Sequence, residues 1–218
     1  MRLNCAIFDM DGTVLDSMQA WVDAIGHILT RRGITPPADL REITRPMNGM
    51  LLVDYLQREF LPGITGREIT DEVGAYMEDF YSNRVQAKAG VKNFLSLLKM
   101  EGVQCYLATA THRELVRRAI AHAGLEPYFK GIITSAEVGK NKIDSPDIYE
   151  WAMKRMGGNK ADTVVFEDAL FAIRTAKKAG FRVAGVYDPD SEADQEEIRA
   201  LSDYYITSFE ELYQTEQR

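Results

Sequence analysis

The chain has few of the residues that build disulfide scaffolds or zinc sites. Its 218 residues include 2 cysteines and 3 histidines. Cys5 and Cys105 both fall in predicted strands, where a free cysteine usually behaves as a small buried apolar residue. The three histidines, His27, His112 and His122, lack the spacing of zinc ligands and are more typical of a surface or an interface. We therefore expect neither a disulfide framework nor a zinc centre.

Long apolar runs and an excess of positive charge are also missing. The first apolar run is too short for a signal peptide and ends at Asp9, and no later run approaches the length of a membrane span. The formal net charge is -7, which opposes binding to nucleic acids and anionic membranes because their phosphates are bound chiefly by Lys and Arg. We expect a cytoplasmic protein, a monomer or weak dimer, that binds neither nucleic acid polymers nor membranes.

The most informative stretch lies near the N-terminus. Cys5–Phe8 is a short apolar run, which predicts a buried strand that ends at Asp9. Asp9 and Asp11 are two residues apart in extended chain and can face the same small site. Gly12 permits a tight bend, and Thr13 offers a hydroxyl and a backbone N–H to an anion. A solvated turn uses the same residue types, so this motif alone leaves both interpretations open.

Strand and helix patterns alternate from residue 89 onward. Apolar runs predict strands over 103–108, 131–134, 163–166 and 182–187, with at most an edge strand over 204–207. Such alternation implies crossover connections and a parallel sheet, with ligands at the carboxyl ends of the strands. Residues 34–87 show helical patterns and no convincing strand. We predict an α/β core domain of residues 1–15 and 88–218, interrupted by a helical domain of residues 16–87.

Polar side chains follow three of the predicted strands. Asp9 and Asp11 end the first strand, Thr109 ends the second, and Glu167 and Asp168 end a later one. Four converging carboxylates would repel by about 4 kcal/mol per pair at ~4 Å and an effective dielectric near 20, so they need a cation. Carboxylate and carbonyl oxygens around a small site favour Mg²⁺. The sequence therefore predicts a magnesium site at this edge of the sheet.

These residues resemble the motif series of the haloacid dehalogenase superfamily. The sequence Asp-x-Asp-Gly-Thr after an apolar strand is similar to motif I, and Thr109, Lys142 and the Glu167-Asp168 pair follow as motifs II, III and IV. The resemblance covers nearly the whole chain and implies a Rossmann-like core with a helical cap. Many relatives have one Lys two residues before a Pro-Asp pair, whereas this chain has an apparent extra residue there. Lys142 is therefore the first choice and Lys140 the alternative.

The resemblance implies a Mg²⁺-dependent phosphatase. Asp9 would attack phosphorus and form an aspartyl phosphate, and Asp11 would protonate the leaving alkoxide and then deprotonate water. The implied phosphate-binding residues are Gly12, Thr13, Thr109, Ala110 and Lys142. The implied metal ligands are Asp9, Asp11, Glu167 and Asp168.

Two other functions compete with the phosphatase. Relatives that cleave carbon–halogen bonds lack the second Asp, so Asp11 favours phosphoryl chemistry. The β-phosphoglucomutase branch is similar in length and cap type but carries a His where this chain has Trp21, which makes a phosphomutase the second choice. A receiver-like signalling module also uses clustered acids, a Thr and a Lys. Receivers, however, carry no helical insert after the first strand, so this alternative is remote.

The helical cap would close over the site and exclude water. Trp21, Arg45 and Met47 are candidates for its inner face, although Trp and Met at helical spacing are more often core residues. A site shared between core and cap is small. We therefore expect the partner to be a small phosphorylated metabolite: a sugar phosphate, a phosphoglycolate-like acid or a nucleotide.

Overall fold

The computed structural model of the protein describes residues 3–45, 47 and 49–213. The strands, in chain order, are β1 (Cys5–Phe8), β2 (Leu15–Asp16), β3 (Gln86–Ala87), β4 (Gln104–Thr109), β5 (Gly131–Thr134), β6 (Thr163–Glu167), β7 (Arg182–Val186) and β8 (Tyr204–Ile206). Six of them form one sheet in the order β5-β4-β1-β6-β7-β8, and every neighbouring pair in it is parallel. The predicted parallel α/β core is therefore confirmed.

Helices cover both faces of the sheet because its central strand is apolar on both sides. In β1, Ala6 and Phe8 pack into one apolar cluster, and Cys5 and Ile7 pack into a second cluster on the opposite face. This alternation follows from the two-residue period of a strand. The helices are α1 (Met18–Thr30), α2 (Leu40–Thr44), α3 (Gly49–Glu59), α4 (Gly66–Asn83), α5 (Val91–Met100), α6 (Arg113–His122), α7 (Ser135–Val138), α8 (Asp147–Met156), α9 (Leu170–Lys178) and α10 (Gln195–Leu201).

The first four helices form an insert between β2 and β3. These two short strands pair antiparallel, with Leu15 opposite Ala87 and Asp16 opposite Gln86, so the chain enters and leaves the insert side by side. The insert has an apolar cluster of its own, made by Ile25, Ile28, Leu29, Leu40, Leu56, Leu61 and Ile69. The expectation of no strand within residues 34–87 was wrong at β3, because a two-residue strand is too short to show a period.

The register of the sheet places its strand ends at one level. Phe8 is paired with Leu107 of β4 and with Phe166 of β6, so the residues that follow these positions share one edge. The backbone N–H of Asp9 donates to the Phe166 carbonyl at 3.0 Å and fixes the first residue beyond β1. Within residues 3–45, 47 and 49–213, no helix combines the length and apolar character needed to cross a membrane.

Candidate active site

Three acids meet at the carboxyl edge of the sheet. Asp9 follows β1, Glu167 is the last residue of β6, and Asp168 comes next in the chain. One carboxylate oxygen from each lies within 4.8 Å of the others, and all three residues are buried. Acids far apart in the sequence therefore surround one small volume, as the strand-end pattern predicts.

Lys142 is the cation of this cluster. Its Nζ donates to Asp9 Oδ1 at 2.5 Å and to Glu167 Oε1 at 2.6 Å, and the residue is only 5% exposed. Tyr149 also donates to Glu167 Oε1, at 2.8 Å. Lys140, by contrast, lies at the surface and pairs with Asp147 at 2.7 Å. Of the two lysines, the structure places Lys142 in the cluster and Lys140 outside it.

Burial and nearby negative charge make Glu167 and Asp168 hard to ionise. Burial raises the pKa of Glu167 to about 7, although Lys142 acts in the opposite direction. Burial, followed by the charges of Glu167 and Asp9, also raises the pKa of Asp168 well above its ordinary value. Burial would lower the pKa of Lys142, but the carboxylates of Asp9 and Glu167 outweigh it and raise that pKa overall. One ammonium group thus faces three carboxyl groups.

The cluster fits a divalent cation in both charge and donor type. When all three acids are ionised, the single charge of Lys142 leaves an excess of two negative charges among buried oxygens. Mg²⁺ prefers oxygen ligands and commonly takes one or two carboxylates while it keeps several waters. Asp9, Glu167 and Asp168 are therefore the residues that could hold this ion.

Asp11 lies in a different environment from the three clustered acids. Ser17 Oγ donates to its Oδ1 at 2.7 Å, Tyr81 OH donates to the same oxygen at 2.5 Å, and Thr111 Oγ1 donates to Oδ2 at 2.6 Å. Burial, with the charge of Asp9, raises the pKa of Asp11. Both oxygens of Asp11 thus accept hydroxyl hydrogen bonds, and its carboxylate is outside the grouped acids. Metal binding by Asp11 stays a prediction.

Gly12 and Thr13 support the acid cluster from the turn after β1. Gly12 has φ +78°, and a Cβ at this position would lie 2.8 Å from Asp168 Cγ, so only glycine fits. Thr13 is fully buried, and its Oγ1 donates to Asp168 Oδ1 at 2.7 Å. The hydroxyl that was expected to bind phosphate therefore orients Asp168, and phosphate binding by the backbone at Gly12 and Thr13 stays a prediction.

Thr109 and Ala110 lie at the end of the neighbouring strand. Thr109 is the last residue of β4 and is buried, whereas Ala110 is exposed. The Thr109 hydroxyl accepts from the backbone N–H of Thr111 at 3.1 Å, which shapes the bend that brings Thr111 to Asp11. Both predicted phosphate-binding residues thus share the edge with Asp9, and their contact with phosphate stays a prediction.

Four residues of the site were not predicted. Ser17 is the N-cap residue of α1, but its hydroxyl makes no cap hydrogen bond and donates to Asp11 instead. Tyr81 belongs to the apolar pattern of α4, which indicates a core residue and gives no hint of its hydroxyl contact. Thr111 and Tyr149 lie beside predicted motifs, at the end of β4 and after the Pro-Asp pair. Their positions in these motifs could have identified them as candidates.

The insert contacts the core beside this edge. Arg45 Nη2 pairs with Asp194 Oδ2 at 2.5 Å, and Arg41 Nη1 pairs with Asp190 Oδ1 at 2.7 Å. Both acids belong to the segment that follows β7. Trp21 is half-buried against the apolar cluster of the core, and Met47 is half-buried as well. Of the three candidates for the inner face, Arg45 thus pairs with the core and Trp21 packs on it.

The comparison with known proteins decides the family. The sequence model described as haloacid dehalogenase-like hydrolase matches residues 6–186. The chain belongs to this family. It is 28% identical over 184 residues to the fructose-1-phosphate phosphatase YqaB of Escherichia coli (strain K12), a match that covers 83% of this chain and 94% of that protein. It is 26% identical over 193 residues to a phosphorylated carbohydrates phosphatase of Thermotoga maritima, a match that covers 84% of this chain and 85% of that protein.

Solved structures of this haloacid dehalogenase-like family show the same fold. CbbY from Rhodobacter sphaeroides in complex with phosphate has a TM-score of 0.80 at 21% identity, over 97% of this chain and 96% of that one. The β-phosphoglucomutase of Clostridium difficile has a TM-score of 0.74 at 18% identity, over 97% and 94%. The predicted family, its Rossmann-like fold and the assignment as a hydrolase of the phosphatase type are confirmed.

Proposed function

We propose that this haloacid dehalogenase-like hydrolase is a Mg²⁺-dependent phosphatase that releases phosphate from a small phosphomonoester through a phosphoaspartate. The observation that carries the proposal is the buried cluster in which Asp9 lies beside Glu167 and Asp168 and accepts a hydrogen bond from Lys142. Such a cluster is costly to bury without a bound cation. It lies where parallel sheets bind their ligands.

The chemistry assigns Asp9 as the nucleophile. An oxygen of Asp9 attacks phosphorus in line, the new O–P bond forms, and the bond to the leaving oxygen breaks. Lys142 offsets the negative charge of the non-bridging phosphoryl oxygens. Asp9, Glu167 and Asp168 would hold Mg²⁺, which would supply further positive charge during phosphoryl transfer. Water then attacks the phosphoaspartate and releases inorganic phosphate.

Asp11 is the proposed acid and base of both steps. In the first step it gives a proton to the leaving alkoxide, and in the second it takes a proton from the attacking water. Three hydroxyl groups hold its carboxylate next to Asp9 without drawing it into the metal cluster. This separation gives the two aspartates of the motif different tasks.

The insert of residues 16–87 is the proposed cap that selects the leaving group. The relatives include a fructose-1-phosphate phosphatase and a phosphorylated carbohydrates phosphatase, so we propose a sugar phosphate as the first substrate class to test. A phosphoglycolate-like acid and a nucleotide are the next classes. A phosphomutase shares the phosphoaspartate step and would instead isomerise a hexose phosphate without net release of phosphate.

Phosphate release from a panel of these esters, with Mg²⁺ or with a chelator, tests the proposal. We expect turnover only with Mg²⁺, and we expect Asp9→Asn to lower it by at least about 10⁴-fold because the nucleophile is lost. The exposed Asp16 lies close in sequence, so Asp16→Asn is a matched control that should retain activity. A folded Asp9→Asn protein that still turns over would overturn the assignment.

A further inference from the structure

The three hydroxyl groups on Asp11 come from three separate parts of the chain. Ser17 precedes α1, Tyr81 lies near the end of α4, and Thr111 follows β4. Ser17 and Tyr81 both donate to Oδ1, at 2.7 and 2.5 Å, whereas Thr111 donates to Oδ2 at 2.6 Å. Of these three donors, Tyr81 is the one carried by the long helix of the insert, so the insert contributes directly to the placement of Asp11.

Tyr81 is also held in place by the packing of its helix. Its side chain is completely buried, and a buried tyrosine hydroxyl normally needs a hydrogen-bond partner. Asp11 Oδ1 is that partner, because the Tyr81 hydroxyl donates to it at 2.5 Å. The ring of Tyr81 lies in the apolar cluster of the core, and Trp21 of α1 packs against the same cluster. The insert thus brings a buried hydroxyl to Asp11 from a side chain that packing holds in position.

We propose that Tyr81 is a positioning residue that fixes the Asp11 carboxylate for proton transfer to the leaving group. The inference rests on the proposed function, in which Asp11 is the acid. A carboxylate that loses one of two donors on the same oxygen gains freedom to rotate about its side-chain bonds. Displacement of a catalytic group by about 1 Å can cost a reaction 10²-fold. The role is one of placement, because Tyr81 acts through Asp11.

The dependence of the rate on the leaving group tests this role. An alkyl phosphate needs a proton on its departing alkoxide, whereas p-nitrophenyl phosphate releases a stable anion that needs none. The value of kcat/KM reports steps up to the first phosphoryl transfer and is therefore free of the later hydrolysis step. We expect Tyr81→Phe to lower kcat/KM by about tenfold for the alkyl ester that the wild type hydrolyses fastest, and by less than about twofold for p-nitrophenyl phosphate.

A matched control makes the test specific. Tyr76→Phe makes the same substitution on the same helix, but the Tyr76 hydroxyl accepts from Arg84 at 3.4 Å and is not one of the three hydroxyl groups that donate to Asp11. We expect Tyr76→Phe to leave both kcat/KM values unchanged.

An equal loss on both esters, or no loss on either, would overturn the positioning role of Tyr81. The proposed phosphatase would still stand in that case if the wild type needs Mg²⁺ and Asp9 for turnover. Failure of the proposed function has a different signature, namely turnover that survives Asp9→Asn. Thermal unfolding of each variant separates a local loss of placement from a loss of folded protein.

Discussion

The acid cluster at the sheet edge and the contact between the insert and the core both use ion pairs, but they differ in burial. Lys142 and Glu167 have side-chain exposures of 5% and 1%, whereas Arg45 and Asp194 have 31% and 38%. Removing a partner from a buried pair leaves a charge without solvent, and the protein loses stability. An exposed pair is worth roughly 0–1 kcal/mol because water and salt can replace either partner.

This difference indicates what each set of charges can do. The buried cluster is too costly to be explained by stability alone, and the proposed function gives it the task of holding a cation. The more exposed pair of Arg45 and Asp194 is weak, because water and salt can replace either partner. The predictions below test this contrast.

The largest effect on folding is expected for the buried lysine. Lys142→Met leaves Asp9 and Glu167 without their cation, and we expect the free energy of unfolding to fall by about 3–5 kcal/mol. Urea denaturation in the presence of a chelator measures this loss without compensation by metal. Lys140→Met is the matched control, because Lys140 is exposed and pairs only at the surface. A similar loss of stability in both variants would contradict the prediction that the buried lysine contributes more to stability than the exposed one.

The second-largest expected effect is stabilisation of the folded protein by Mg²⁺. A cation that binds only the folded protein adds about 2.7 kcal/mol to the free energy of unfolding at a hundred times its Kd. We expect thermal unfolding to shift upward with Mg²⁺ in the wild type, and the shift to be lost in Asp168→Asn. The Asp16→Asn protein should keep the whole shift, since Asp16 lies outside the acid cluster. A full shift in Asp168→Asn would remove Asp168 from the proposed ligands.

Sequence patterns were most informative where the strand ends dictate geometry. The four residues of β1 are all apolar and buried, so Asp9 had to emerge at the edge of the sheet, and the parallel register brought Glu167 and Asp168 to it. The hydroxyl contacts of Asp11 were not predictable in this way. In the sequence, Tyr81 lies on the apolar face of a helix, where an ordinary core residue would fit equally well. The direction of its hydroxyl depends on how α4 packs against the core.

The choice between two lysines also depended on a local turn. Asn141 Oδ1 accepts from the backbone N–H groups of Ile143 and Asp144, at 3.0 and 2.9 Å. This turn begins at Asn141, between the two lysines. It leaves Lys142 directed to the cluster and Lys140 at the surface. Spacing alone could not distinguish the two lysines, because the turn depends on an asparagine side chain rather than on chain length.

The smallest effect is expected at the pair between Arg41 and Asp190. Burial raises the pKa of Asp190, and the attraction of Arg41 offsets this only in part. Ionised Asp190 is therefore less favourable in the folded protein than in the unfolded chain. The stability linked to this group is present at pH values below its ordinary pKa of about 3.9 and is lost as the pH rises through the raised pKa.

Because ionised Asp190 is unfavourable in the folded protein, we expect the two partners of this pair to differ in what their substitution does to stability. At neutral pH, Arg41→Gln leaves a half-buried carboxylate without its cation and should cost about 1 kcal/mol, whereas Asp190→Asn removes the costly charge and should change stability by less. Urea denaturation at neutral pH and in mild acid measures both variants. The loss in Arg41→Gln should shrink in acid, because a protonated Asp190 needs no cation. Equal losses at both pH values would mean that the pair acts through packing of the arginine stem rather than through charge.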